Sequence, residues 1–194
     1  IYISDFSFRV TDKFKKGQSW DNEKLIDLGR MPSNSIALNR YGEGKEFSTS
    51  INIFQKGDFL FGSIRPYFCK AGIAPFNGVT NSSVFILRCY EKKDNAFLYA
   101  LCSSQNIFNK SIQFSKGTKM PAISWDDFSK FEFVDPTDDI KEKFSSITLP
   151  MFEKIQNNVA ENQTLTELRD TLLPKLMSGE IRVKDAEREV EKAL

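Results

Sequence analysis

From Ile140 onward, one spacing pattern persists: Ile140, Phe144, Ile147, Met151 and Ile155, then Asn158 and Asn162, then Leu165, Leu168, Leu172 and Leu176 recur every three or four positions. No glycine interrupts the run before Gly179. The pattern predicts a single helix over 137–179, about 55–60 Å long at 1.5 Å per residue, with an apolar stripe along one side. Thr137 stands at the N-cap position, and Asp138 and Asp139 complement the helix dipole in the first turn. Such a rod is longer than the domain before it is wide. Its stripe therefore needs a partner helix, and coiled-coil pairing is the natural solution. Asn158 and Asn162 either fix the register of that seam or mark where it opens to solvent. Pro150 is a candidate kink near the start. Pro174 is a second, placed about one turn before Gly179 can cap the end. The helix is therefore expected to bend or tighten near Leu172–Leu173, with Leu172, Leu173 and Leu176 packed against a partner helix or the base of a domain.

The chain before this helix has a different texture. Residues 51–75 alternate short aromatic-rich runs with Gly57-Asp58, Gly62 and Gly72, as strands joined by tight turns do. Residues 82–90 form a nearly continuous apolar run, which suits a central strand. Residues 95–113 change to helical spacing through Phe97, Leu98, Leu101, Ile107 and Phe108. Residues 120–136 read as a turn and a strand closed by Pro136. The chain is 40% hydrophobic with 18 Phe, ample for a packed core. The reading is α+β: a mixed domain over 1–136, the helix over 137–179, and a charged tail over 180–194.

The composition excludes several chemistries. Histidine is absent, which removes the commonest general base, the Ser/His and Cys/His dyads and the commonest zinc ligand. Cys69, Cys89 and Cys102 lack metal-ligand spacing and read as buried thiols of a reducing compartment. There is no apolar run long enough for a membrane span and no leader pattern, and the start at Ile1 suggests a fragment or processed chain. No glycine-rich phosphate loop occurs. Glu43-Gly44-Lys45 lacks the strand context of a nuclease motif, and Arg65-Pro66-Tyr67-Phe68 lacks the leading Asn or Asp of an amino-methyltransferase motif. Asp126-Asp127 reads as capping. Residues 1–136 hold 18 Lys/Arg against 14 Asp/Glu, while residues 137–194 hold 9 against 12. A mildly basic front permits nucleic acid as a partner without demanding it.

The remaining candidates are basic and polar groups at expected turns. They are Arg40, Tyr41 and Lys45; Arg65, Tyr67 and Lys70; Asn81 and Ser82; and Lys116, Thr118 and Lys119 around Gly117. Lys and Arg neutralise phosphates, and Arg, Asn and Ser also read base edges.

Three segments together resemble one family, the DNA-specificity (S) subunit of type I restriction–modification enzymes. They are GDFLFGSIRPYFCKAGIAP (57–75), SKGTKMPAISWDDFSKFEFVDP (115–136) and NQTLTELRDTLLPKLMSGEIRV (162–183). The resemblance spans roughly residues 20–185. It implies a target recognition domain that reads one half of a split sequence in double-stranded DNA, followed by a conserved spacer helix that pairs in an antiparallel coiled coil. It further implies a non-catalytic subunit in a prokaryotic cytoplasm that docks methyltransferase (modification) subunits and a restriction subunit. S-adenosylmethionine, and ATP with Mg, belong to those partners, and this chain needs no cofactor or metal of its own. The assembled complex is an adenine-specific methyltransferase and site-specific endonuclease. One recognition domain and one helix make half an S subunit, resembling the C-terminal half. An unpaired helix then invites a homodimer. The alternatives are a small nuclease or methyltransferase-associated domain, and a helical oligomerisation adaptor with an unrelated head.

Overall fold

Strands β5 (Phe59–Gly62) and β8 (Val84–Cys89) form the centre of the computed structural model, which describes residues 1–14, 18–47 and 51–193. With β1 (Ser7–Val10) and β6 (Ala71–Ile73) they make an antiparallel sheet of order β1-β8-β5-β6. A second sheet, of order β3-β2-β7-β4, contains β2 (Lys24–Leu25), β3 (Gly42–Glu43), β4 (Ile51–Phe54) and β7 (Gly78–Asn81). The β2–β7 pair is parallel at Leu25 and Val79.

Side chains on the central strands alternate between two cores. Phe59, Phe61, Phe85 and Leu87 face a helical layer, while Leu60, Val84 and Ile86 face the second sheet with Phe54, Ile26 and Leu38. Burial on both faces explains the nearly unbroken apolar run in β8. The helical layer holds α1 (Ile3–Phe6), α2 (Asn95–Cys102), α3 (Gln105–Phe114) and α4 (Trp125–Phe128). The segment expected to be one helix over 95–113 breaks at Ser103-Ser104, because the Ser104 hydroxyl accepts from the Ile107 N–H (3.4 Å) and starts a new helix. The strand expected after α4 is reduced to an isolated bridge between Tyr2 and Glu132. Phe131 and Phe133 pack there against Phe128 and Phe6, so aromatic burial rather than a ladder holds the segment.

One ion pair lies under the β4–β5 turn. Arg88 grips Asp58 with two 2.7 Å hydrogen bonds, and Asp58 also accepts from the Gln55 N–H (2.7 Å). Hydrogen bonding to Asp58 raises the Arg88 guanidinium above its ordinary pKa against the opposing effect of burial. The Tyr99 hydroxyl donates to Gly57 O (2.5 Å), tying α2 to the same turn.

The long helix α5 runs from Asp138 to Met177, through Pro150 and Pro174. Thr137 occupies the N-cap position, but its side chain makes no capping hydrogen bond. Lys141 fastens the start of α5 to the domain by ion pairs to Asp135 (2.7 Å) and Asp94 (3.7 Å). One face of α5 then lies on the domain. Phe152 meets Tyr99 edge-on at 5.4 Å, and Gln156 Nε2 donates to Ile73 O (3.3 Å). The expected apolar stripe lies on another face and stays open: Ile140, Phe144, Ile147, Met151 and Leu165 are exposed, as are Asn158 and Asn162, with Ile147 and Met151 at 62% and 58%. Ile155 is half-buried between the two faces.

α5 ends in a closed cap. Gly179 adopts φ 74°, its N–H donates to Leu176 O (3.2 Å), and the Glu180 N–H donates to Lys175 O (2.9 Å). This is the Schellman arrangement, which needs a residue that tolerates the left-handed region. The tail beyond it forms α6 (Val183–Ala193), which turns back on α5. Leu168, Leu172 and Ile181 line the cleft between the two helices, of about 600 Å³. Leu172 and Leu176 are half-buried, whereas Leu173 remains half exposed.

Candidate nucleic-acid interface

At the Gly62 end of the central strands, three loops are joined by backbone hydrogen bonds. The Ser63 N–H and hydroxyl both donate to Ser83 O (2.9 Å each), and Ser63 O accepts from the Ile123 N–H (2.9 Å). Residues Lys116 and Ala122 exchange backbone hydrogen bonds (2.9 and 3.0 Å), closing a hairpin-like loop around Gly117 that also bridges Ile64. The loops 63–70, 81–83 and 115–122 are therefore tied to one another through their backbones.

Backbone geometry in the first loop is unusual. Arg65 and Cys69 sit at φ 51° and 50°, on either side of a 3-10 turn made by Pro66, Tyr67 and Phe68. A side chain in the left-handed region costs about 1–2 kcal/mol per residue. The Arg65 N–H donates to Pro121 O (2.6 Å), the Phe68 N–H to Arg65 O (3.0 Å) and the Asn34 N–H to Cys69 O (2.9 Å), which hold the turn in place. The result is an outward presentation of two aromatic rings. Tyr67 and Phe68 are 48% and 45% exposed with centroids 4.7 Å apart. Gly62 permits the close packing beneath, since a Cβ there would meet Leu28 Cδ2 at 2.6 Å.

Polar groups surround these rings. Lys70 Nζ donates to Leu28 O (2.5 Å) and lies 5.8 Å from the Phe68 ring centroid. Arg65 reaches across to Lys119 O (3.4 Å). A cleft of about 330 Å³ opens between them, lined by Leu28, Arg65, Phe68, Lys70, Ser83 and Met120. Asn81 Oδ1 accepts from the Ser83 N–H (3.1 Å) and from the Ser83 hydroxyl, leaving Ser82 exposed at the tip. Lys116 is exposed and sits 3.4 Å from Asp127, and Thr118 and Lys119 are exposed beside it. The Ser124 hydroxyl, then Lys116, hold the Asp127 carboxyl below the usual carboxylate range.

The structure thus gathers Arg65, Tyr67, Lys70, Asn81, Ser82, Lys116, Thr118 and Lys119 at one end. Arg40, Tyr41 and Lys45 lie elsewhere. Tyr41 packs edge-on against Phe76 (5.2 Å) beneath Lys24, in a cleft that Ala160 and Gln163 of α5 help to line. Lys45 pairs with Glu43, which raises its pKa, and Arg40 is exposed next to Tyr41. Ser83, which continues the polar segment of Asn81 and Ser82, joins the cluster, as do Phe68 and Met120, which carry no local signal in the sequence. Residues preceding proline favour extended backbone, so the left-handed Arg65 runs against its sequence context. Among the described residues, no group of three His, Cys, Asp or Glu side chains stands close enough to hold a metal ion. What the cluster offers is cationic donors, hydroxyls and exposed aromatic faces.

Residues 6–167 match the model of the type I restriction modification DNA specificity domain. The chain belongs to this family. Its relatives include the MjaIX specificity subunit of Methanocaldococcus jannaschii, 31% identical over 153 residues, which is 78% of this chain and 34% of that one. Solved structures share the fold. The HsdS subunit from Thermoanaerobacter tengcongensis aligns with a TM-score of 0.58 at 16% identity, covering 91% of this chain and 47% of that one. The type I S subunit from M. genitalium aligns with a TM-score of 0.56 at 17% identity, covering 92% and 45%. The chain therefore spans about a third of its curated relative and just under half of these solved family members.

Proposed function

We propose that this chain is a non-catalytic DNA-recognition half-subunit of a type I restriction–modification system. Residues 1–136 read one half of a bipartite duplex target, residues 137–179 form the spacer, and residues 180–194 form the tail. The carrying observation is the joining of Arg65, Lys116 and Lys119 with the exposed Tyr67 and Phe68 rings on hydrogen-bonded loops at one end of the sheet. The donors suit phosphates and base edges, and phosphate contacts set register while base contacts specify.

In this reading the open stripe of α5 pairs antiparallel with the helix of a second copy, or of another half. The pair holds two readers at a fixed separation on the duplex. The subunit docks modification and restriction subunits in a prokaryotic cytoplasm. S-adenosylmethionine chemistry, and ATP with Mg, belong to those partners rather than to this chain. The alternatives, a small nuclease or an unrelated adaptor, predict respectively DNA cleavage by the chain alone and self-association without any duplex binding.

Fluorescence anisotropy with labelled duplexes tests the reading. The chain should bind weakly, with an affinity that falls steeply with salt. Replacing Arg65, Lys116 and Lys119 together with alanine should abolish binding while leaving self-association and the thermal midpoint near wild type. Salt-insensitive binding, or no effect of the triple variant, overturns it.

A further inference from the structure

We propose that Arg9 is a further phosphate-gripping residue of this domain: its guanidinium, held over the Phe85 ring and paired with no acid among the described residues, takes a backbone phosphate of duplex DNA. The proposal rests on the DNA-recognition reading above.

The placement of Arg9 follows from strand alternation. Phe8 and Val10 of β1 point to the core between the two sheets, so Arg9 points to the helical side. There its guanidinium carbon lies 4.7 Å from the centroid of Phe85. Phe85 stands two residues beyond Ser83 and meets Trp125 edge-on at 5.8 Å, and Trp125 opens α4 directly after the 115–122 loop and its Ser124 cap. Arg9 is thus linked to the 81–83 and 115–122 loops through the rings of Phe85 and Trp125.

Its surroundings are unbalanced. Arg88, on the neighbouring strand, is matched by Asp58, and Arg30 by Asp27 and Glu46. Arg9 forms no ion pair among the described residues, and its Nε is buried without a hydrogen-bond partner. Burial lowers its guanidinium pKa and no neighbouring acid offsets that. A half-buried cation without an anion carries an uncompensated desolvation cost. Stacking on an aromatic face orients the planar fork, and that fork matches a phosphate bidentately. The arrangement is that of an anion seat prepared in advance.

The competing account is that Arg9 merely covers Phe85 with its aliphatic stem. Arg9→Met preserves that cover and removes the charge, and Arg9→Gln serves as a second neutral variant. Duplex binding is measured across salt concentrations for two unrelated sequences, alongside thermal midpoints. One phosphate contact contributes about 0.9 to the slope of log affinity against log salt, or about eightfold in affinity at 0.1 M salt. The expected result is a loss of that size for both sequences, a slope shallower by about 0.9, and a midpoint for Arg9→Met at or above wild type. An unchanged slope and affinity in both variants overturns the role of Arg9 and leaves the DNA reading standing. Absence of salt-dependent duplex binding by the wild-type chain overturns the DNA reading, and this proposal with it.

Discussion

The Cys89 thiol is pushed up to about 12 from an ordinary value near 9, chiefly by burial and then by Asp94. Cys102 is shifted upward in the same direction, and all three cysteines are free and buried. A raised folded-state value means the stability contribution is fully present below about pH 9. It is lost as pH rises toward 12, because the unfolded chain releases its proton first. Each such group costs about 1.4 kcal/mol of stability per pH unit in that window. Urea unfolding at pH 7.5, 9 and 10.5 should therefore show declining stability above pH 9, with a shallower decline in Cys89→Ala. Identical slopes for variant and wild type would show that Cys89 does not carry the effect. Sequence legibility at this scale was uneven. Arg65, Lys116 and Lys119 were recognisable as residue types suited to phosphate. Arg9 was invisible, because its interest lies in lacking a partner, and partners in a sheet come from distant strands.

Among the elements, α5 was the most legible, since three-to-four spacing over some forty positions has no alternative as a strand. The two faces of α5 were harder to separate. The stripe read from Ile140 to Leu176 is open at its first part and shielded near its end, because α6 folds back over Leu168 and Leu172. That return depends on the cap at Gly179. Alanine there puts a Cβ into the left-handed region and should cost about 1 kcal/mol in the local cap. Gly179→Ala is expected to leave the domain's thermal midpoint unchanged while accelerating proteolytic cleavage between 178 and 183. Equal cleavage rates would mean the cap does not hold α6. The break between α2 and α3 escaped the sequence reading for a related reason. Apolar spacing continues across it, and only the capping geometry of Ser104 reveals the new start.

For the whole molecule, the division into two sheets was not readable from 51–75, because β4 and β5 are consecutive yet pair in different sheets. Local alternation gives strands, whereas sheet membership is settled by contacts far apart in sequence. The open face of α5 carries the main prediction here. Replacing Ile147 and Met151 together with glutamate should abolish self-association in sedimentation, with no loss of monomer stability, since both side chains already face solvent. A stable dimer of the double variant would place the interface elsewhere. The burial of β5 and β8 on both faces also bears on how such a molecule diversifies. A substitution in either strand disturbs two cores at once, so the frame has little freedom to vary. The loops 63–70, 81–83 and 115–122 leave that frame at a single end, where Tyr67, Phe68, Ser82 and residues 116–120 meet solvent. On the proposed reading, a new target half-site can be acquired at those positions without renegotiating the fold.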